Sequence, residues 1–520
     1  MTGDGWLLTV DLGTSGLKVG AVAESGEIRG ATHADIATEL SADGGVEQDT
    51  TQWWDGVLAG ARELIASGAV DPAALTAVGI TGQYASTVPV GADGTAVGPC
   101  LTWADDRGAS LAKKAYGGVA AGSKPTAIVP WLRYTGGAPS PNGADPSGHA
   151  LFLKHERPQV YARTAVLLEP VDYLGLRFTG RAAATPASMV ASWLTDNRAG
   201  RAPQYVAALV RNAGRDAGRL PELLPSGSVL GPVQESVASA LGLPADVLVV
   251  TGVPDVHAAY MASGAVDDFA AHITISTTSW VSCAVPFKKT DVLHQIASVP
   301  GVRPGQYLMI DNHETAGACL QWLRDGVLGH PPGFGPDWSP SYDDLVALAA
   351  RSEPGSGGVV FTPWLKGERS PVDDRTLRAA FLNVSLDTDK ADFVRSVLEG
   401  VAYTMRWLVE AADKFAGRRL EPLRVLGGGA QSDLWCQIHA DVLGRRVERV
   451  ADPAFAQLRG TALYALVALG RLRLDQVPAL VPAGQGFDPD PRAVAVYAPL
   501  YREFAGVYGR LKSMYRRLNG

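Results

Sequence analysis

Cysteine is scarce in this chain of 520 residues: four in all, Cys100, Cys283, Cys319 and Cys436. They are scattered and form no CxxC pair. Neither a disulfide framework nor a thiolate zinc site is expected, only small buried thiols in a reducing cytoplasm. The nine histidines make no HExxH or comparable pairing, so they suggest no zinc site either. Charge is thin, at 19% of residues with a formal net charge of −7, and the isoelectric point is near 5.8. That balance argues against a general nucleic-acid binder, while a local loop can still cradle phosphates. No apolar run approaches a membrane span. MTGDGW has neither the basic n-region nor the apolar h-region of a signal peptide. A cytoplasmic protein with no nucleic-acid and no membrane partner is expected.

The length exceeds what one hydrophobic core supports, so two or more domains are expected. Short apolar runs alternate with amphipathic stretches through most of the chain, which favours an α/β class. Three Pro/Gly-rich stretches, 136–148, 329–341 and 482–492, read as loops.

VDLGTSGLKVGAV, at 10–22, places an acid and a Gly/Thr/Ser cluster between two apolar runs. Residues 6–10 predict a strand, 19–22 its return partner, and Ser25-Gly26 a further tight turn. The stretch from Asp11 to Gly16 is then a turn between strands, offering backbone N–H groups and two hydroxyls in a small concavity, as a phosphate needs. Taken alone it reads first as an ordinary hairpin and second as a phosphate loop. It is no Walker A loop: GxxxxGK[ST] is missing, and a strand follows where a helix is required. ITISTTSWVSCAV, at 273–285, repeats the pattern, with Thr277-Thr278-Ser279 standing as Gly13-Thr14-Ser15 stood. One echo is a weak sign, but its place about half the chain later fits two similar α/β halves serving one cleft.

VLVVTGVPDVHAAYMASGAV, at 247–266, predicts a strand over 247–250, a turn over 251–254 and a helix over 256–263. Asp255 stands where that helix begins. It reads as a helix N-cap or as a carboxylate on the floor of an interdomain cleft, and one residue can serve both. In LRVLGGGAQSDLWCQIHADVLG, at 423–444, residues 423–426 predict a strand and 427–429 a turn that allows close backbone approach. Leu434, Trp435, Ile438 and Val442 then fall on one helix face.

Together these segments resemble the FGGY family of carbohydrate kinases, nearest its xylulokinase-like branch, over nearly the whole chain. GGVEQDTTQWW (44–54) is similar to the family's Glu-Gln-Asp-Pro-x-x-Trp-Trp signature. ITGQYAS (80–86) and TWADDR (102–107) are similar to its two sugar-facing segments. Residues 151–180 resemble its Lys–Pro–Asp-Tyr segment, GVPDVHAA its catalytic segment, and STTSW its second phosphate motif. FTPWLKGERSP (361–371) resembles its Gly-Glu-Arg-x-Pro loop and GGGAQSDLWCQIHAD (427–441) its adenosine motif.

The resemblance implies an α/β protein of two ribonuclease-H-like (actin-like ATPase) domains around a central cleft, with a boundary between 1–253 and 254–520. It places the sugar site and first phosphate motif in the N-terminal domain, and the second phosphate motif and adenosine site in the C-terminal one. It implies that Gly13, Thr14 and Ser15, with Thr277, Thr278 and Ser279, hold the phosphates of ATP, and that Asp11 helps hold Mg²⁺. Lys18 either faces the phosphates or lies on the strand's solvent side. Gln83, Tyr84, Trp103, Asp105 and Arg107 are expected to bind the sugar; the plain reading of the last three is a turn with a capping Asp and an exposed Arg. Gly428 and Gly429 are expected against the adenosine. Asp255 is expected to contact the sugar and accept its hydroxyl proton, because a protonated hydroxyl is a poor nucleophile. Homodimers are common in the family.

Some residues depart from the pattern. Tyr84-Ala85-Ser86 stands where xylulokinases carry Met-His-Gly and where glycerol kinases carry an Arg-Glu pair, which weakens D-xylulose and, more so, glycerol as the substrate. Thr277 and Trp280 replace usual glycines; so does Asn383, a residue that tolerates the left-handed conformation. The expectation is an ATP- and Mg²⁺-dependent kinase of a pentulose such as xylulose. Its rivals are a kinase of another ketose, a polyol or a sugar acid; a kinase that binds sugar without transferring phosphate; and an actin- or Hsp70-like nucleotide-gated binding protein, which has no need of Asp255 or of a sugar-facing WADDR.

Overall fold

The computed structural model describes residues 5–120, 125–140, 142–292, 294–303, 305–329 and 339–520. Most of the loop expected at 329–341 lies outside these, as do residue 141 of the 136–148 stretch and the first four residues of MTGDGW.

In the first half, β1 (Trp6–Leu12), β2 (Gly16–Ala23) and β3 (Ile28–Asp35) form an antiparallel meander. Helix α1 (Thr50–Ala66) follows, its N-cap Asp49 accepting the Thr51 N–H. The chain then returns as β4 (Leu75–Gly82), parallel to β1. β5 (Val229–Pro232), β6 (Leu248–Val250) and β7 (Val253–Pro254) complete a sheet of order β5-β6-β4-β1-β2-β3, with β7 pairing the far end of β4. Every residue of β1 is buried, because both faces of this sheet are covered.

The second half holds β8 (Ala271–Ile275), β9 (Ser279–Val285), β10 (Thr290–Asp291), β11 (Ile296–Pro300) and β12 (Tyr307–His313). β13 (Leu423–Leu426), β14 (Val447–Val450) and β15 (Ala483–Phe487) complete its sheet, in the order β10-β11-β12-β9-β8-β13-β14-β15. Within it, β12-β9-β8-β13-β14 repeats the arrangement β3-β2-β1-β4-β6: an antiparallel meander, then two parallel strands. The sequence echo between the two hairpins is therefore a repeat of topology, and each half has the strand order of a ribonuclease-H-like domain.

Two helices form the layer between the sheets. One, α2 (Asp255–Ser263), packs on β8, β9 and β13; the other, α3 (Ala456–Ala468), packs on β1, β2 and β4 and crosses α2. Gly460 permits that crossing, since a Cβ there falls 2.0 Å from the Ala258 carbonyl oxygen. Leu7, Val250, Val256, Tyr260, Trp280 and Leu458 meet in the resulting core, so apolar burial joins the halves. Trp280, in place of a family glycine, is spent in this core. The buried Arg459 reaches from α3 to the Gly26 carbonyl in the β2–β3 turn, at 2.8 Å.

Three expectations need correction. Residues 253–254 are strand rather than turn, because Val253 and Pro254 extend alongside Thr81 and Gly82. The 482–492 stretch supplies the edge strand β15, and then Asp490, which caps the helix Pro491–Asn519. The 136–148 stretch ends inside the helix Pro146–Glu156, whose N-cap Asp145 accepts from the Ser147 and Gly148 N–H groups. Asn383 has φ 63°, the left-handed conformation expected of it. All four cysteines are buried and unpaired. Among the described residues no helix is long and apolar enough to cross a membrane.

Candidate active site

Asp11 lies directly across from Lys18 in the β1–β2 pair. Opposed residues share a face of the sheet, so Lys18 stands on the Asp11 side, its Nζ 3.7 Å from Oδ2. Burial pushes the Asp11 pKa up, and Lys18 draws it part of the way back. At the tip of the hairpin the Gly13 N–H donates to the Gly16 carbonyl at 2.8 Å, so that donor is spent inside the turn. Thr14 and the exposed Ser15 form the outer edge. Thr14 is held from two sides: Gln48 Nε2 donates to its carbonyl at 2.7 Å, and Trp103 Nε1 donates to its hydroxyl at 3.0 Å.

Asp255 is the first residue of α2, and Pro254, with φ −56° and ψ 152°, occupies the N-cap position. This corrects the N-cap reading: pairing with β4 keeps the backbone extended through residue 254, so the helix starts one residue later. The Asp255 carboxylate accepts the Val256 N–H at 2.8 Å. Desolvation, and then the charge of Asp11, push its pKa up to about 7. Two carboxylates thus face a common space, with Lys18 beside one of them.

The segments expected to face a sugar converge on the same space. Gln83 donates its N–H to the Leu12 carbonyl at 2.7 Å and its Nε2 to Gln48 Oε1 at 2.8 Å, which links it through Gln48 to Thr14. Tyr84 is half-buried, and its pKa is pushed up to about 12 by desolvation and by Asp255, with Arg369 opposing. Ser86 ties the two segments together, its hydroxyl oxygen accepting the Trp103 N–H at 3.0 Å.

Asp105 and Arg107 do not meet the expectation of sugar contact. Asp105 is fully buried and accepts from the Val46 N–H at 3.0 Å and from Arg107 Nη2 at 2.6 Å. The Arg107 side chain is 4% exposed, pairs with Glu47 at 2.5 Å and lies 4.3 Å over the Phe152 ring. The pair is an internal brace, and the exposed-Arg reading fails with it. Glu47 completes this brace while Gln48 holds Thr14, which gives the GGVEQDTTQWW segment its physical sense.

In the second hairpin Thr277 is exposed and Thr278 half-buried at the tip. Ser279 is instead fully buried on β9, its hydroxyl donating to the Thr274 carbonyl, so that side chain is turned away from the tip. The helix Gly317–Trp322 is seated on this hairpin: Ala316 N–H donates to the Thr277 carbonyl at 2.9 Å and Gly317 N–H to the Ser276 carbonyl at 2.7 Å. Sequence reading missed that contact.

Gly427 has φ 98°, and a Cβ there falls 2.4 Å from the Ile275 carbonyl oxygen, so the glycine turn rests on the end of β8. Gly428 has open space around it. Gly429 faces inward, its Cβ position 2.4 Å from Ile275 Cγ2 and 2.8 Å from the Trp435 ring, which leaves Gly428 alone with a free face. An open groove of about 450 Å³, lined by Gln431, Asp433, Arg449, Asp452, Phe455 and Gln485, lies on the β14–β15 side of this turn, away from α2.

The Gly-Glu-Arg-x-Pro loop brings in a residue that the sequence motif contained but that was not singled out. Glu368 is fully buried, accepts the Glu314 and Arg369 N–H groups at 2.9 Å each, and has its pKa pushed up to about 8 by burial. Arg369 turns toward the first half, its guanidinium 5.9 Å from the centre of the Trp103 ring, and pairs with Glu314 at 3.3 Å. Among the described residues no three acidic, His or Cys side chains cluster to form a metal cage.

Comparison with known proteins places the chain in a family. Residues 6–262 match the N-terminal domain, and residues 277–469 the C-terminal domain, of the FGGY family of carbohydrate kinases. The chain is 26% identical over 516 residues to a xylulose kinase of Staphylococcus epidermidis, covering 98% of this chain and 97% of that one. Two solved structures from Lactobacillus acidophilus share the fold: a gluconate kinase (TM-score 0.83, 20% identity) and a ligand-bound xylulose kinase (TM-score 0.83, 19% identity), each covering 99% of both chains.

Proposed function

We propose, from the premise that this chain belongs to the FGGY family of carbohydrate kinases, that its acceptor is a pentulose such as D-xylulose. The chain is an ATP-dependent sugar kinase; the choice of sugar and the residue roles that follow are our assignment. The boundary we adopt, 1–253 and 254–520, is supported by the place where β7 ends and α2 begins.

One observation carries the mechanism: a half-buried carboxylate, Asp255, with its pKa near 7, beside Tyr84 and Asp11. Asp255 takes the proton of the sugar hydroxyl as the new O–P bond forms. The bond from the γ-phosphorus to the bridging oxygen breaks and ADP leaves. Thr14, Ser15, Thr277 and Thr278, at the two hairpin tips, hold the phosphates, and Lys18 offsets their charge. The open face of Gly428 receives the adenosine. Tyr84, Trp103 and Gln83 shape the sugar pocket.

Asp11 fits a magnesium ion: it is a desolvated carboxylate whose charge one lysine offsets only in part. A site with no protein cage suits an ion held mainly by phosphates and water, with one or two carboxylates. Bound there, Mg²⁺ supplies charge neutralisation to the phosphates.

The test is ADP release with Mg²⁺ and ATP across D-xylulose, D-ribulose, L-ribulose, L-xylulose, gluconate and glycerol. A pentulose with the highest kcat/KM supports the assignment. The cation of Arg369 near Trp103 and Tyr84 favours a second acceptor class, a sugar acid, and preference for gluconate would establish that one instead.

A further inference from the structure

Ala85 sits at φ 60°, in the left-handed region that a residue with a Cβ disfavours, in the middle of the segment that carries Tyr84 into the pocket. Something must hold it there. The group behind it is Glu169, 2% exposed, at the N-cap position of the helix Pro170–Thr179. Its carboxyl does not cap that helix. It turns instead to the sugar-facing segment, where Oε2 accepts the Ser86 N–H at 3.1 Å. Burial pushes its pKa well above the usual carboxylate range, with the Ser86 N–H and, more weakly, the Ala85 N–H pulling the other way. Its second oxygen, Oε1, is buried with no hydrogen-bond partner. Ser86 passes the constraint on, because its hydroxyl oxygen holds the Trp103 N–H.

We propose that Glu169 is a positioning residue for sugar recognition: by binding the backbone at 85–86 from beneath, it fixes the left-handed turn that aims Tyr84 and, through Ser86, Trp103 at the acceptor. A carboxyl is suited to this. Burial favours its neutral form, and in that form one oxygen still accepts the Ser86 N–H, a role that a glutamine amide oxygen can take over. Glu169 acts through the turn on Tyr84 and on the Trp103 backbone, so it governs sugar affinity more than the phosphate end, where Gln48 holds the Thr14 carbonyl, Lys18 pairs with Asp11, and Trp103 adds one contact to the Thr14 hydroxyl. The inference rests on the sugar-kinase activity and not on which pentulose is preferred.

The test compares Glu169→Gln and Glu169→Leu, with KM for D-xylulose and D-ribulose, KM for ATP, kcat and the melting temperature measured on each. Glu169→Leu loses the acceptor for Ser86, and its sugar KM rises at least about tenfold while KM for ATP stays within about twofold. Glu169→Gln keeps an acceptor oxygen and recovers most of the sugar affinity. A Glu169→Leu enzyme with unchanged sugar KM overturns the proposal; so does one in which both KM values rise together, or in which Glu169→Gln is no better than Glu169→Leu. If Glu169→Leu does not fold, the comparison of Glu169→Gln with wild type decides: an equal or greater rise in ATP KM than in sugar KM refutes the role. A wild-type enzyme inactive on both sugars fails the pentulose assignment instead, and the comparison is then made on whichever sugar of the panel is turned over.

Discussion

Replacing Asp255 with asparagine removes a charge that the empty protein holds at a cost. Its pKa moves from 3.8 to about 7, with desolvation the larger cause and Asp11 the second. At about 1.4 kcal/mol per unit, keeping the carboxylate ionised costs roughly 4 kcal/mol. The favourable contact with the Val256 N–H is already inside this net shift; burying the asparagine amide in place of the carboxyl takes back part of the gain, about 1 kcal/mol. Asparagine keeps an oxygen for the Val256 N–H. Desolvation wins, and Asp255→Asn stabilises the ligand-free protein by roughly 3 kcal/mol at about pH 8. The pH window follows from the direction of the shift. Below about pH 4 the carboxyl is protonated folded and unfolded, and the variant and wild type differ little. Between about pH 4 and 7 the unfolded chain gives up a proton that the folded one keeps, so wild-type stability falls as pH rises; above about pH 7 the loss is complete.

Urea midpoints at about pH 4.5 and pH 8 measure this, and kcat on the same preparations measures the other half, a fall of about 10²–10⁴-fold from loss of the base. A variant that is more stable and nearly inactive is what a strained catalytic carboxylate gives. An asparagine variant less stable than wild type at pH 8 makes Asp255 a structural helix-end residue, and one with wild-type kcat removes it from the chemistry.

Two further substitutions separate bracing from binding. Arg107→Met leaves Asp105 fully buried without its cation; the expected loss is about 3–5 kcal/mol of stability, with kcat of the folded fraction near wild type, and a raised sugar KM at unchanged stability would return Arg107 to the pocket. Gly427→Ala puts a Cβ 2.4 Å from the Ile275 carbonyl at a positive φ and lowers the melting temperature, whereas Gly428→Ala enters open space, leaves stability alone and raises only KM for ATP. A Gly428→Ala enzyme with unchanged ATP KM would move the nucleotide off this turn.

What the sequence disclosed depended on how local the cause was. The strand at 423–426 and the hairpin at 10–22 were legible because alternation of apolar runs and turn residues is read within a few positions. Lys18 was undecided between two faces until the register with Asp11 was known, because one slip of register reverses a strand's faces. Ser279 carries the same hydroxyl as Thr278, one position earlier, yet pleating turns it to the Thr274 carbonyl instead of the tip.

Arg107 shows the limit most clearly. A charged residue two places after an aspartate reads the same whether it faces a ligand or braces the fold. What decides is desolvation: a guanidinium 4% exposed needs full pairing, and Asp105 supplies only part of it. The remainder comes from Glu47, 60 residues away, on a strand that pairs with Cys100–Leu101, just ahead of the same segment. Nothing within the reach of local periodicity specifies that meeting. The resemblance to a family drew attention to the segment, but sorting the side chains in it required knowing which polar atoms were already spent. By that criterion Tyr84, Trp103 and Arg369 keep polar groups or faces free for the proposed acceptor, while the polar atoms of Asp105 and Arg107 and one oxygen of Glu169 are engaged within the protein.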